Sequence, residues 1–390
     1  MNIKLLSFFT GAGFLDIGFL ESGFDIVWHN EYHMPFVTLF EYGMKSMGYK
    51  GKKCKIQNTN SILRLSTQQI QLEAFGNNPK PDIFGIIGGP PCPDFSVAGK
   101  NLGGLGNNGK LLKVYLEKIK ELQPTFFILE NVPGLVRTLK HRQYLADSIS
   151  PLTELYSIDL KILNALNFGV PQDRNRVFIV GIKKTWLKQN RDDLYHRFEN
   201  SPLNCSSPKE HILKEIAYHA YNHWYIWPEN NRYKNIRDNV NWHQEPVPKG
   251  SIPIKPNIPD ELMVYKYICD DNLINIPNGN EYFVPRSTMF SNVLEGDVSK
   301  KSFKRLHRYR YSPAAAYGNN EVHLHCCHPR RLSVREALRI QSIPDSYIMS
   351  EEVPLTHKFK AIGNGVPAML AKAVAHSLKQ TMSWRDNERI

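Results

Sequence analysis

Cys92 stands in GGPPCPDFS (residues 88–96), just after PDIFGII, an apolar run that predicts a buried strand. A structural cysteine behaves as a small hydrophobe inside a strand or helix. Here Gly88, Gly89, Pro90, Pro91 and Pro93 fix an irregular, rigid backbone around the sulfur, which suits a thiol held out at the end of a strand as a nucleophile. A loop cysteine without a function is the competing reading. Glu130 closes a second apolar run, FFILE. It reads either as a capping or salt-bridged carboxylate, or as a carboxyl whose proton affinity burial raises until it can serve as an acid at neutral pH. A third feature is TGAGF, residues 10–14, between KLLSFF and a helical stretch. A glycine turn at a helix amino terminus lets a ligand approach the backbone. Glu31 follows Gly11 by 20 positions at the end of the next strand, where an acidic side chain can hold ribose hydroxyls. Such a turn can equally be plain punctuation.

The elements that must position these groups are legible as alternation. IKLLSFF, DIVWHN, DIFGIIG, TFFILEN and RVFIVGI are apolar runs separated by helix-like stretches, which predicts an α/β fold, a doubly wound and mostly parallel sheet, over residues 1–182. Cys92, Glu130 and the glycine turn all lie at carboxyl ends of these strands, the edge where such sheets bind ligands. A nucleophile, an acid and a nucleotide pocket on one crevice describe covalent catalysis beside a cofactor. Regularity fades over 183–310, where PVPKGSIPIKPNIPD reads as loop, and this segment is expected to be a smaller, irregular domain with its own task. Over 311–390 the chain returns to the first domain through two helices. LSVREALRIQ opens with a capping box of Ser333 and Glu336, and Asn364 and Pro367 mark the entry to MLAKAVAHSLKQ.

Composition narrows the partners. A chain of 390 residues with 42% hydrophobic content can bury a large core, and its net charge of +12 favours nucleic acid. Six scattered cysteines do not form a disulfide framework, so a reducing, cytoplasmic compartment is expected. Asp16 interrupts the only stretch resembling a signal peptide, and no apolar run is long enough to span a membrane. In HLHCCHP, His323, His325 and Cys327 would share one face of a strand, but no second ligand pair stands at a usual zinc spacing, so no metal is expected. Trp224 and Trp227 read as core.

SFFTGAGFLDIGF, NEYHMPF, GGPPCPDFS, ENVPGL, PQDRNRVFIVGI, RRLSVREALRIQSIPDSY and AIGNGVP resemble, in order, the motif set of the DNA (cytosine-5)-methyltransferases over residues 3–182 and 311–376. The resemblance implies the fold of S-adenosylmethionine-dependent methyltransferases and transfer of a methyl group from that cofactor to carbon 5 of a flipped-out cytosine in duplex DNA. Cys92 would attack carbon 6, Glu130 would hydrogen-bond to or protonate ring nitrogen 3, and Arg176 would contact the base carbonyl, with Arg174 the neighbouring arginine of the motif. Phe9, Gly11 and Gly13 would surround the methionine and adenine parts of the cofactor, Glu31 its ribose and Asn60 its adenine amino group. Leu111 would pack on the adenine or serve as a helix core residue, and Asn364 and Val366 would close the pocket.

Three positions depart from the family pattern: Phe14 replaces a glycine, Asn60 an aspartate and Gly365 a serine. The resemblance makes 183–310 the target-recognition domain. In KKSFKRLHRYRY, Lys300, Lys301, Lys304, Arg305, Arg308 and Arg310 suit phosphate or guanine contacts, or form a solvated basic face. Ser96 and the glycine-rich run after it suit a loop closing over the extruded base and contacting its phosphates, or equally a solvated surface loop. A monomer acting on double-stranded DNA, with a cognate restriction endonuclease acting separately, is expected. A transfer-RNA cytosine-5 methyltransferase uses a similar motif set and is the alternative.

Overall fold

The computed structural model describes residues 3–91, 107–201, 223–318 and 321–382, organised on a six-stranded sheet. Its strands are β1 (Lys4–Phe8), β2 (Asp25–Asn30), β3 (Phe84–Gly88), β4 (Phe126–Asn131), β5 (Tyr156–Asn164) and β7 (Asn175–Lys183), in the order 2-1-3-4-7-5. The two-residue β6 (Gln172–Asp173) pairs outside this sheet with β8 (Ser312–Pro313). Within the main sheet β7 alone is reversed, antiparallel to both β4 and β5, so the sheet is mostly parallel as the alternation predicts.

Strand periodicity divides the core between two faces. Leu5, Ile87, Phe126 and Ile128 point to one face, with α1 (Phe14–Glu21) and α2 (Met34–Ser46) supplying Ile17, Phe19, Leu39 and Phe40. Leu6, Ile86, Phe127 and Leu129 point to the other, with α3 (Thr67–Phe75) and α4 (Asn107–Leu122) supplying Ile70, Tyr115 and Leu116. Helices on both faces account for strands that are apolar on both sides.

All five predicted runs fall on strands, and β5 is an addition. Its YSIDLKILN carries Asp159 and Lys161, which break the apolar signature of a buried strand. Asp159 is nevertheless buried, because the middle segment supplies its partners: His223 Nδ1 at 2.7 Å and the amide of Tyr225 at 3.0 Å. Trp224 and Trp227 beside them are buried in the main core, as expected.

The capping box forms as the sequence predicts, opening the helix Val334–Ile340. Asn364, however, closes a helix (Leu355–Asn364) rather than opening one, and the last helix, Ala368–Met382, starts directly after Pro367. That last helix lies on α1 so closely that a Cβ at Gly18 would come within 2.5 Å of Ala371. Between 223 and 310 the chain forms only short helical turns, packed around small apolar clusters such as Tyr233, Trp242 and Leu262. Among the described residues no helix is long and apolar enough to cross a membrane.

Candidate active site

Glu130 occupies the penultimate position of β4, buried, with its Oε1 2.9 Å from Nε of Arg176 on β7. The antiparallel register sets Asn131 opposite Val177, so Arg176, one residue earlier on β7, reaches back across the strand ends. Burial raises the Glu130 carboxyl above the ordinary carboxylate range, and the guanidiniums of Arg176 and Arg174 oppose that rise. The group can therefore present a proton or a charge, depending on what enters beside it.

The turn that leads to Cys92 is built against this carboxyl. A Cβ at Gly89 would lie 2.8 Å from Glu130 Oε2, so the absent side chain is what lets the carboxyl lie over the turn. Asn131 donates from Nδ2 to the carbonyl of Pro90 at 3.2 Å, tying the two strand ends together. Cys92 and Ser96 lie outside the described residues, which resume at 107.

The glycine turn lies at the same sheet edge. Phe9 and Gly11 have φ of 54° and 59°, and Gly13, at φ 82°, caps α1. A side chain at Gly13 would meet Phe40 at 2.7 Å. Glu31 accepts from the amide of Gly11 through Oε2 at 2.9 Å and from the amide of His33 through Oε1 at 2.7 Å. Each oxygen keeps a lone pair for a ligand hydroxyl, and burial raises this carboxyl too. Asn60 is exposed, with its carbonyl accepting from Asn30 Nδ2 at 2.9 Å, which fixes it beside the end of β2. Leu111 is half-buried one helical turn before Tyr115, whose ring stands 6.1 Å from that of Phe9. Val366 is buried in the main core, and Asn364 is exposed at the end of its helix.

Two of the departures from the family pattern touch each other. A Cβ at Gly365 would stand 2.3 Å from Cδ2 of Phe14, and the Phe14 ring packs edge-on against Tyr347 at 5.5 Å. A bulky residue where the family pattern has glycine is thus accommodated by a glycine where that pattern has serine. Gly365→Ser alone should destabilise the protein by about 1–3 kcal/mol through overpacking. Adding Phe14→Gly should recover part of that loss, and a thermal-denaturation double-mutant cycle showing no coupling would separate the two positions.

Arg174 is buried and donates to the carbonyls of Ala315 at 2.6 Å, Gly363 at 2.6 Å and Gly365 at 2.9 Å. Its charge is also felt at the Glu130 carboxyl, so it stands near that group while stapling the returning segment to the strand ends. Arg305 does not fit the expected DNA-contacting stretch. It is buried, and its donors go to the carbonyls of Val293, Phe290, His325 and His328. Arg308 forms a bidentate pair with Glu295 (Nη2–Oε2 2.7 Å), and Arg310 donates to the carbonyl of His243 at 2.6 Å. Lys300 and Lys301 are exposed and Lys304 is half-buried.

Sequence reasoning missed a buried pair behind the glycine turn, Asp16 and His29, 3.7 Å apart. Burial pushes Asp16 up to about 7 and His29 down to about 4, so both shifts favour the uncharged forms. The linear signal was a carboxylate inside the first turn of a helix whose other residues before Glu21 are apolar or glycine.

The chain that carries this arrangement matches known proteins across its length. The family model for the C-5 cytosine-specific DNA methylases matches residues 3–380. The Type II methyltransferase M.NmeDI of Neisseria meningitidis serogroup C is 40% identical over 382 residues, covering 96% of this chain and 83% of that one. M.MthTI of Methanothermobacter thermautotrophicus, also a Type II methyltransferase, is 31% identical over 399 residues, covering 98% of each. Among solved structures, a candidate DNA modification methyltransferase encoded within a prophage (E. coli) superposes with a TM-score of 0.62 at 20% identity, over 97% of this chain and 99% of that one. The Dnmt2 methyltransferase of S. pombe shares the fold at a TM-score of 0.57 and 12% identity, over 99% of this chain and 100% of that one. On this evidence of sequence and fold together, the chain belongs to the C-5 cytosine-specific DNA methylases and is a DNA cytosine-5 methyltransferase.

Proposed function

We propose that the chain methylates carbon 5 of a cytosine extruded from a specific duplex DNA sequence, as the modification enzyme of a restriction–modification system, through a transient covalent bond from Cys92. The observation that carries this reading is the packing of Glu130 against Gly89, with Pro90 tied to Asn131 immediately before Cys92. A carboxyl whose proton affinity burial raises, against the pull of Arg176 and Arg174, stands at the root of the segment bearing the nucleophile.

Each group has a defined task. The Cys92 thiolate adds to carbon 6 of the ring, placing electron density on carbon 5. Glu130 hydrogen-bonds to or protonates ring nitrogen 3, where charge develops as the sulfur adds. Arg176 holds Glu130 in place and faces the base carbonyl. After transfer, the carbon-5 proton leaves to a base or ordered water, and elimination returns the electron pair to the Cys92 sulfur. S-adenosylmethionine supplies an electrophilic methyl group when bound. The residues present fit it: the Gly11–Gly13 turn leaves backbone open to a ligand, Glu31 keeps acceptor capacity for a ribose, and Asn60, Leu111, Asn364 and Val366 stand around the same edge. Incubation with labelled cofactor and either duplex DNA or transfer RNA tests the reading, and label in transfer RNA alone would overturn it.

Residues 183–310 serve in this proposal as the DNA-reading unit, with 1–182 and 311–390 as the catalytic unit. Lys300, Lys301 and Lys304 are its phosphate contacts, joined by Arg308 and Arg310 only where those side chains can exchange their internal partners for DNA. Replacing the three lysines by glutamine should reduce the slope of log affinity against log salt by up to about 2.7. A salt titration with an unchanged slope would remove this stretch from the interface.

A further inference from the structure

The four-residue helix Tyr265–Ile268 belongs to the middle segment, and HLHCCHP to the segment returning to the catalytic sheet. The fold brings them together at three sulfurs. Cys269 Sγ is 3.3 Å from Cys326 Sγ, and Cys326 Sγ is 3.4 Å from Cys327 Sγ. A ring nitrogen of His325 joins two of them: its ligand atom and the sulfurs of Cys269 and Cys326 all lie within 4.8 Å of one another, with Nδ1 4.0 Å from Cys326 Sγ, and Cys327 Sγ adjoins that group through Cys326. All three cysteines are free thiols. His323 does not take part, because its Nδ1 is 3.3 Å from Ser312 Oγ and its ring lies edge-on to Tyr317.

From this geometry we infer that Cys269, Cys326, Cys327 and His325 form a structural zinc site that fastens the middle segment to the returning segment. Tetrahedral zinc with Zn–S bonds of about 2.3 Å sets its sulfurs about 3.8 Å apart, so the thiols need to open by only a few tenths of an ångström. The histidine is already oriented. Nε2 donates to the carbonyl of Ile268 at 2.9 Å, fixing the tautomer in which Nδ1 carries the lone pair a metal would use. That lone pair now accepts the amides of Cys327 and His328, each at 3.1 Å, and both amides can turn to the thiolates once a cation occupies the site.

The surroundings suit the charge. Metal binding releases the thiol protons and leaves a net negative centre. Arg305 brackets the loop that carries the ligands, donating from Nη1 to the carbonyls of His325 at 2.6 Å and His328 at 2.8 Å, and so places a guanidinium beside it. Cys269 and Cys327 are exposed and line a cleft with Asp270 and Tyr282, which gives the ion a path in. Cys269 lies 57 residues before Cys326, so the ligand spacing resembles no linear zinc motif.

The test uses the full chain, purified without chelator and analysed for zinc, then stripped and reloaded with cobalt. Roughly one zinc per chain is expected, together with the thiolate-to-cobalt charge-transfer bands and visible bands of a tetrahedral site. Cys269→Ser should lower both zinc content and melting temperature, while Cys54→Ser should leave zinc unchanged. The cobalt spectrum of the wild-type chain keeps the test decisive if the Cys269 variant does not fold. Substoichiometric zinc with no charge-transfer band would overturn the inference, as would a Cys269–Cys326 disulfide found by mass spectrometry in the chain purified without oxidant.

Discussion

Cys92→Ser is expected to lower methyl transfer to duplex DNA by about 10^4-fold or more, with the rest of the fold intact. The reason is acidity as much as nucleophilicity. A thiol supplies a few per cent of thiolate near neutral pH, whereas a serine hydroxyl supplies essentially none. Without addition at carbon 6, carbon 5 is not nucleophilic enough to take a methyl group. Duplex DNA carrying 5-fluorocytosine gives a second readout. Its fluorine cannot leave as a proton does, so wild-type protein should remain covalently trapped on denaturing gels while the variant runs free. Methyl incorporation at a wild-type rate by the variant, or failure of the wild-type chain to be trapped, would remove the covalent mechanism.

Glu130→Gln should reduce turnover by about 10^2- to 10^4-fold, with a much smaller effect on DNA affinity. The substitution keeps size and keeps an oxygen that can accept from Arg176 Nε, so the buried guanidinium is not orphaned. What it loses is the ability to exchange between a proton and a charge, a capacity that burial and the opposing guanidiniums together tune. Glu130→Ala would confuse this by leaving Arg176 buried beside a void. The discriminating measurement is single-turnover methylation alongside an affinity titration. A loss confined to affinity would recast Glu130 as a structural partner of Arg176.

The positions of Glu130 and the Gly11–Gly13 turn were legible because each sits where a buried strand stops, and an apolar run followed by a break in its pattern marks that place in the linear chain. The same signal picks out the turn after β3 that leads toward Cys92, which itself lies outside the described residues. β5 was not legible, because Asp159 is burred into its apolar pattern by partners from residues 223–225, far away in sequence. Arg305, within the basic stretch at 300–310, was misread for a related reason. A lysine and an arginine on paper are both surface cations, but Arg305 has enough planar donors to satisfy several buried carbonyls at once and was drawn inside. Phe14 and Gly365 each read as a weakness when taken singly, and only contact in three dimensions shows that they answer one another.

The seating of helix Ala368–Met382 on α1 also bears on how the protein is made. Apolar residues of α1 such as Ile17 and Phe19 emerge from the ribosome early, and the surface that covers them is synthesised some 350 residues later. A nascent chain must therefore carry an unsealed flank through most of translation, a condition that invites chaperone engagement and slows the last step of folding. One outcome is temporal: this flank stays open until helix Ala368–Met382 has been made and has docked.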